Sequence, residues 1–215
     1  MSHIVSRNPW GVLDIDTVAG RVFFQQDWHY TWLVFSAAVS AWTQPERRNF
    51  HHTLDRQIWG VWSNRVRLGV AGATDFCRRF SAAGVPINFD IHWVTGAGHW
   101  EVTVRKMPAG STRTTFRSNV DFARRKIELD TMDLVPSGAG NDAGGSTARF
   151  LAGPHEFGHT LRAGDEYGAG SADIADTNSV MNVGRQVRPR HLQLIVTTLN
   201  AMMPGVTFSS PGAIP

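Results

Sequence analysis

The residue types and spacing best suited to chemistry lie at His155-Glu156-Phe157-Gly158-His159. On a helix, residues i and i+4 share a face, so both imidazoles can direct a ring nitrogen at one ion about 2 Å away while Glu156 reaches its bound water. The ion would polarise a carbonyl and activate that water. Glu156 would accept the water's proton and pass it to a leaving amine. The chain continues Thr160-Leu161-Arg162-Ala163-Gly164-Asp165-Glu166-Tyr167, with Gly164 where the helix should stop. A chain that turns at a glycine swings back beneath the metal, which makes Asp165 a candidate third ligand with a fourth position left for water. Its neighbour Glu166 is the alternative ligand. Two imidazoles and a carboxylate suit Zn2+.

This string resembles the metzincin signature HExxHxxGxxH, whose last position is aspartate in some members. Asp165 stands at that position, whereas Arg162 stands where the signature has glycine, so Gly164 is expected to make the turn. The resemblance further implies a methionine turn at Asn178-Ser179-Val180-Met181-Asn182, with Met181 as the floor of the site. A C-terminal helix should then open at Pro189-Arg190-His191, with Leu192, Ile195, Val196, Leu199 and Met202 in helical period. From about Ser146 to Pro204 the chain is similar to metzincin-like toxin domains of bacterial polymorphic toxins and of contractile-injection-system cargo. What that implies is an α+β fold with a twisted mixed sheet, a long N-terminal helix, an active-site helix, the Met-turn and a C-terminal helix. It also implies a zinc metalloendopeptidase acting on a protein or peptide, with a secretion or injection machine as partner. In that family the strand second before the active-site helix lies antiparallel at the sheet edge and pairs with substrate backbone. Here that strand is expected over His99 to Lys106, unless Met107 to Asn119 covers the edge.

His191 and Tyr167 are placed to bond the oxyanion of a tetrahedral intermediate. Plainer roles, a helix-start residue for His191 and packing for Tyr167, are the expected ones. A catalytically silent, zinc-stabilised binding module is the alternative function. Glu156 speaks against it, because a purely structural site fills all four positions with protein groups. A ligand drawn from Asp173 or Asp176 is a weaker choice.

The 215 residues are 42% apolar with no compositional break, which reads as one domain. Residues from about 1 to 164 would form a sheet and helix subdomain, and those from 165 to 215 the Met-turn and C-terminal helix. Eight tryptophans and twelve phenylalanines favour a packed core over a disordered chain. The lone Cys77 is expected to be a small buried hydrophobe. Met1 to Trp10 lacks a basic stretch leading into an apolar run, so synthesis in the cytoplasm without a signal peptide is expected, with export by a dedicated machine. No segment is long and apolar enough to span a bilayer. The net charge is +3 and the pI about 9.6, with Arg113, Arg117, Arg124, Arg125 and Lys126 clustered. No nucleic-acid module accompanies them, so a solvated or acid-facing patch is the expectation rather than nucleic-acid binding. A membrane-surface role lacks its basic amphipathic helix.

Strands are expected at Arg21-Phe24, Arg65-Val70, Ile87-Ile91, Trp100-Val104 and Lys126 to Leu134. Tyr30 to about Trp62 reads as one or two helices broken at Pro45, with Trp32, Phe35, Val39 and Trp42 on a core face. A glycine-rich loop from Pro136 to Gly145 leads to the motif helix, which begins at Pro154 or runs from Ser146 and bends there. His51 and His52 read as solvated surface, and His92 and His99 as core-edge or cleft residues.

Overall fold

Strict alternation of apolar and polar residues from Val22 to Tyr30 drives the longest strand of the molecule, and the rest of the sheet is assembled on it. The computed structural model describes residues 2–111, 117–136 and 150–210. In chain order they form β1 (His3–Asn8), β2 (Gly11–Asp16), β3 (Arg21–Val34), α1 (Gln44–Trp62), β4 (Arg67–Gly72), α2 (Asp75–Phe80), β5 (Val85–Val94), β6 (Trp100–Lys106), β7 (Asn119–Asp121), β8 (Lys126–Asp130), α3 (Ala152–Thr160), α4 (Gln193–Met202) and β9 (Val206–Ser209). The fold is α+β with a mixed sheet. Along its main path the strand order is β7-β8-β6-β3-β5-β4-β9. The segment β5-β3-β6-β8 is parallel, and β7 closes one end antiparallel to β8. Strand β3 is long enough to take two partners in succession, antiparallel β2 along Arg21 to Gln25 and parallel β6 from Trp28 onward.

One face of the sheet is dry. Val22, Phe24 and Trp28 of β3, Ile87 and Phe89 of β5, and Val102 and Val104 of β6 are buried to within 1%. Phe89 meets Trp62 of α1 and Phe157 of α3 edge-on at 5.7 and 5.8 Å. The opposite face carries Gln25, Asp27, His29, Asp90, His92 and Glu101, part-exposed and paired with one another. Helix α1 starts sharply because Thr43 and Glu46 form a reciprocal cap around Pro45. Ser63 ends it by accepting from Phe89 N and donating to Phe89 O, which fixes α1 to β5.

Several expectations are corrected. The segment Tyr30 to Trp42 is not helical: β3 continues to Val34, and the helix begins only at Gln44. Trp32 and Trp42 still meet, at 4.9 Å, because the chain doubles back between them. The strand at 100–106 is interior, flanked by β3 and β8, so it is not at an edge; among the described strands the sheet ends on that side at β7, which is too short to read from periodicity. The strand from Lys126 stops at Asp130, where Asp130 and Asp133 cap a short 3-10 turn. His51 is buried and bonded to the Tyr30 hydroxyl at 3.1 Å, so only His52 is solvated. Helix α3 starts at Ala152 after an extended Leu151, which places Pro154 within its first turn and excludes a continuous longer helix. Cys77 is buried at 1% exposure. Arg113 and most of the glycine-rich loop lie outside the described residues. Among the described residues no helix is long and apolar enough to cross a membrane.

Candidate metal centre

Helix α3 is buried on nearly every side, which lets it hold ligands rigidly. Its far end is tied to β3 by Gln26, whose amide donates to Thr160 Oγ1 at 3.0 Å and accepts from Trp28 Nε1 at 3.0 Å. Near its start, Trp62 Nε1 donates to Pro154 O at 2.9 Å. The helix is stopped by Arg162, not by Gly164. Arg162 takes the left-handed conformation at φ 65°, Arg162 N donates to His159 O and Ala163 N to Gly158 O. This is the paired closure that a glycine usually makes. The left-handed cost to a side-chain-bearing residue, of order 1 kcal/mol, is offset by the Arg162 guanidinium lying 4.5 Å over the Phe122 ring.

The turn brings Asp165 back to the helix. His155 Nε2 lies 3.0 Å and His159 Nε2 3.2 Å from Asp165 Oδ1, and one ligand atom from each of the three residues falls within 4.8 Å of the others. The other ring nitrogens are committed: His155 Nδ1 donates to Val180 O at 2.9 Å and His159 Nδ1 to Ala163 O at 2.8 Å. A neutral imidazole that donates through Nδ1 has a bare lone pair at Nε2. Two bare nitrogens and a carboxylate oxygen at such separations repel one another unless a cation stands among them, so the donor set fits a metal ion.

Glu156 is 7% exposed and its Oε2 is buried with no hydrogen-bond partner among the described residues. Burial pushes its pKa up, with His155, His159 and Arg117 pulling the other way. Burial also works against the charged form of Asp165, yet in the protonated state of His155 and His159 their hydrogen bonds hold it well below the usual carboxylate range. His159 is raised, because Asp165 and Glu156 outweigh the effect of its burial.

Met181 is fully buried, and a side chain on Gly158 would overlap its sulfur, which places Met181 against the helix between the two histidines. Ser179 shapes the surrounding turn by accepting from Met181 N through Oγ at 3.2 Å. Helix α4 follows with Ile195, Val196 and Leu199 buried.

The remaining candidates separate. Glu166 faces away from the ligand group. It accepts two bonds from Arg190, at 2.7 and 2.9 Å, and packs against His191 Nε2 at 2.9 Å. His191 is 3% exposed and its Nδ1 accepts from Arg188 N, so it braces this network rather than facing a cleft. Tyr167 stays by the site. Its ring is 5.8 Å from that of His155, and burial together with the charge of Asp165 raises its hydroxyl to about 12. Asp173 and Asp176 are engaged by Arg190 and Arg188. Sequence reasoning missed the backbone acceptors Val180 O and Ala163 O, which no side-chain pattern reveals. It also missed Asp133, whose buried carboxyl is pushed up to about 7 by burial and Asp130.

Compared with protein-family models, curated proteins and solved structures, the chain finds no match.

Proposed function

We propose that this protein is a zinc-dependent endopeptidase of the metzincin-like kind, with His155, His159 and Asp165 as ligands and Glu156 as general base. The observation that carries the reading is the pairing of three converging lone-pair donors with an adjacent buried carboxyl oxygen that no described residue satisfies. A structural site has no use for that second carboxylate. Met181 packed beneath Gly158 supports the same reading. So does β7, an antiparallel edge strand second before α3, where the resemblance calls for a substrate-pairing strand.

When bound, the zinc would supply Lewis acidity to a substrate carbonyl and acidify a water. The protein's own residues do the rest. Val180 O and Ala163 O fix both imidazoles in the ligating tautomer. Glu156, kept basic by its low-dielectric surroundings, takes the water's proton and delivers it to the leaving amine. Strand β7 aligns an extended peptide through backbone bonds, and the Tyr167 hydroxyl, next to Asp165, is available to the carbonyl oxygen. We extend the proposal to an exported bacterial toxin effector on the motif resemblance alone.

The test is metal content together with cleavage of a denatured protein mixture. Wild type should carry one zinc per chain and cleave. Glu156→Gln should keep the zinc and lose about 100-fold or more in rate, and His159→Ala should lose both. Zinc without cleavage in wild type would point instead to a binding module, and full activity in Glu156→Gln would sink the mechanism.

A further inference from the structure

A cavity of about 700 Å3 opens between the C-terminal half of α1, Leu151 just before α3, and the segment 185–188. None of its lining residues belongs to the ligand group. Among the described residues of the lining four are arginines, Arg56, Arg65, Arg185 and Arg188, and none is acidic. Two of these guanidinium groups are oriented by partners that leave donors over. Arg65 is held on Gly60 O by its Nε and one terminal nitrogen. Among the described residues Arg56 spends only its Nε–H, on His52 O of its own helix. Arg188 is anchored from behind by Asp176 at 2.6 and 2.7 Å.

Gln57, also on the wall, donates to Leu134 O through its amide nitrogen at 2.8 Å, while its Oε1 is buried without a partner among the described residues. Val61, Leu151 and Val187 supply an apolar floor.

We propose that this cavity binds a small, multiply charged phosphate ester, with fructose 1,6-bisphosphate as the probe. Phosphate oxygens accept from several guanidinium forks at once, where a lone carboxylate offers only two oxygens. The position matters because the wall is continuous with the site: Arg185 N and Gln186 N both donate to Asn178 O, and Val180 N donates to Gln186 O, next to Met181. An occupant ties α1 to the turn that supports the ligand helix, and it stabilises the fold whether or not the metal site is catalytic.

The experiment uses the full-length protein and reads binding, not hydrolysis. Fructose 1,6-bisphosphate is titrated by calorimetry and by thermal shift, with citrate, a glutamate-rich peptide and sodium chloride of matched ionic strength alongside. The expected result is a melting temperature raised by several degrees with the bisphosphate and little moved by the others. Arg56→Gln, which removes only a bond within its own helix, should weaken bisphosphate binding at least tenfold without changing the unliganded melting temperature. Arg56→Gln with Arg65→Gln should abolish binding. The proposal is overturned if the bisphosphate gives no shift, if citrate or the peptide matches it, or if Arg56→Gln binds as wild type does.

Discussion

Asp165 and Glu166 are neighbours in the chain and opposites in the structure. Asp165 is half exposed and faces two imidazole nitrogens that in the neutral rings have no proton to give it, beside a glutamate whose buried Oε2 has no partner among the described residues. Glu166 is 7% exposed and saturated, held by two bonds from Arg190 and one contact with His191. Around it Asp176 bridges Arg188 and Arg190. One region keeps its polar atoms short of partners and the other completes every pair. The lesson is that a site for chemistry is recognised by what it leaves unsatisfied, and a brace by what it fills.

Exchanging the two acids for alanine sharpens this contrast most. Asp165→Ala should weaken metal binding by about 100-fold or more, since even partners behind a ligand are worth 10- to 100-fold, and should leave the metal-free melting temperature close to wild type. Glu166→Ala should do the reverse. With Arg190 and His191 robbed of their acceptor, stability should fall by about 2–3 kcal/mol, or roughly 5–10 °C in melting temperature. A metal-binding loss in Glu166→Ala as large as in Asp165→Ala would break the distinction.

Acid should separate the regions next. Imidazoles ligate only when neutral, so protons compete with the metal for the ring nitrogens as the pH falls. Asp176 is held down to about 2 by its bonds from Arg188 and Arg190. A carboxylate depressed in the folded state contributes stability that is complete above its ordinary value of 3.8 and is lost only as the pH falls toward 2. His51 acts the other way: kept neutral by burial with its pKa lowered to about 4, it withdraws some stability from pH 6.5 downward. A chelating dye and tryptophan fluorescence followed along one titration should therefore show metal leaving well before the fold opens. One coincident transition would mean the two regions are a single unit.

The smallest effect concerns the joint between them. In a helix interior, glycine to alanine ordinarily gains about 1 kcal/mol. At Gly158 the new methyl collides with the Met181 sulfur and presses on Trp62, so Gly158→Ala should instead destabilise by about 1–2 kcal/mol, measured by denaturant unfolding. A stabilised variant would show that Met181 moves freely and is no floor.

The convergence of the candidate ligands was legible because a helix face converts spacing into geometry: His155, His159 and Asp165 are brought together by one helix and one turn. The roles of Asp165 and Glu166 were not separable in sequence, since adjacent acids differ only in which way the turn points them. That turn was set by Arg162, which no propensity would have selected. In the sheet, Ile87 to Ile91 and Trp100 to Val104 were readable from alternation. Trp32, Phe35, Val39 and Trp42 imitate a helical face, yet they sit on a strand end and a connection that folds back. Strand β1 was hidden because it presents no buried residue, and β7 because three residues hold no period.

The ligand group is also unusually local. His155 and Asp165 are ten residues apart, while the parallel pairing of β3 with β5 joins positions 65 apart, such as Gln25 and Asp90. Closing the short loop is fast and entropically cheap; closing the long one is neither. A chain able to grip a metal ion before its sheet exists shares part of that binding energy with its unfolded ensemble, which reduces the stabilisation the ion confers on the native state. Metal-loaded and chelated protein should accordingly differ more in the rate at which they fold than in the temperature at which they melt.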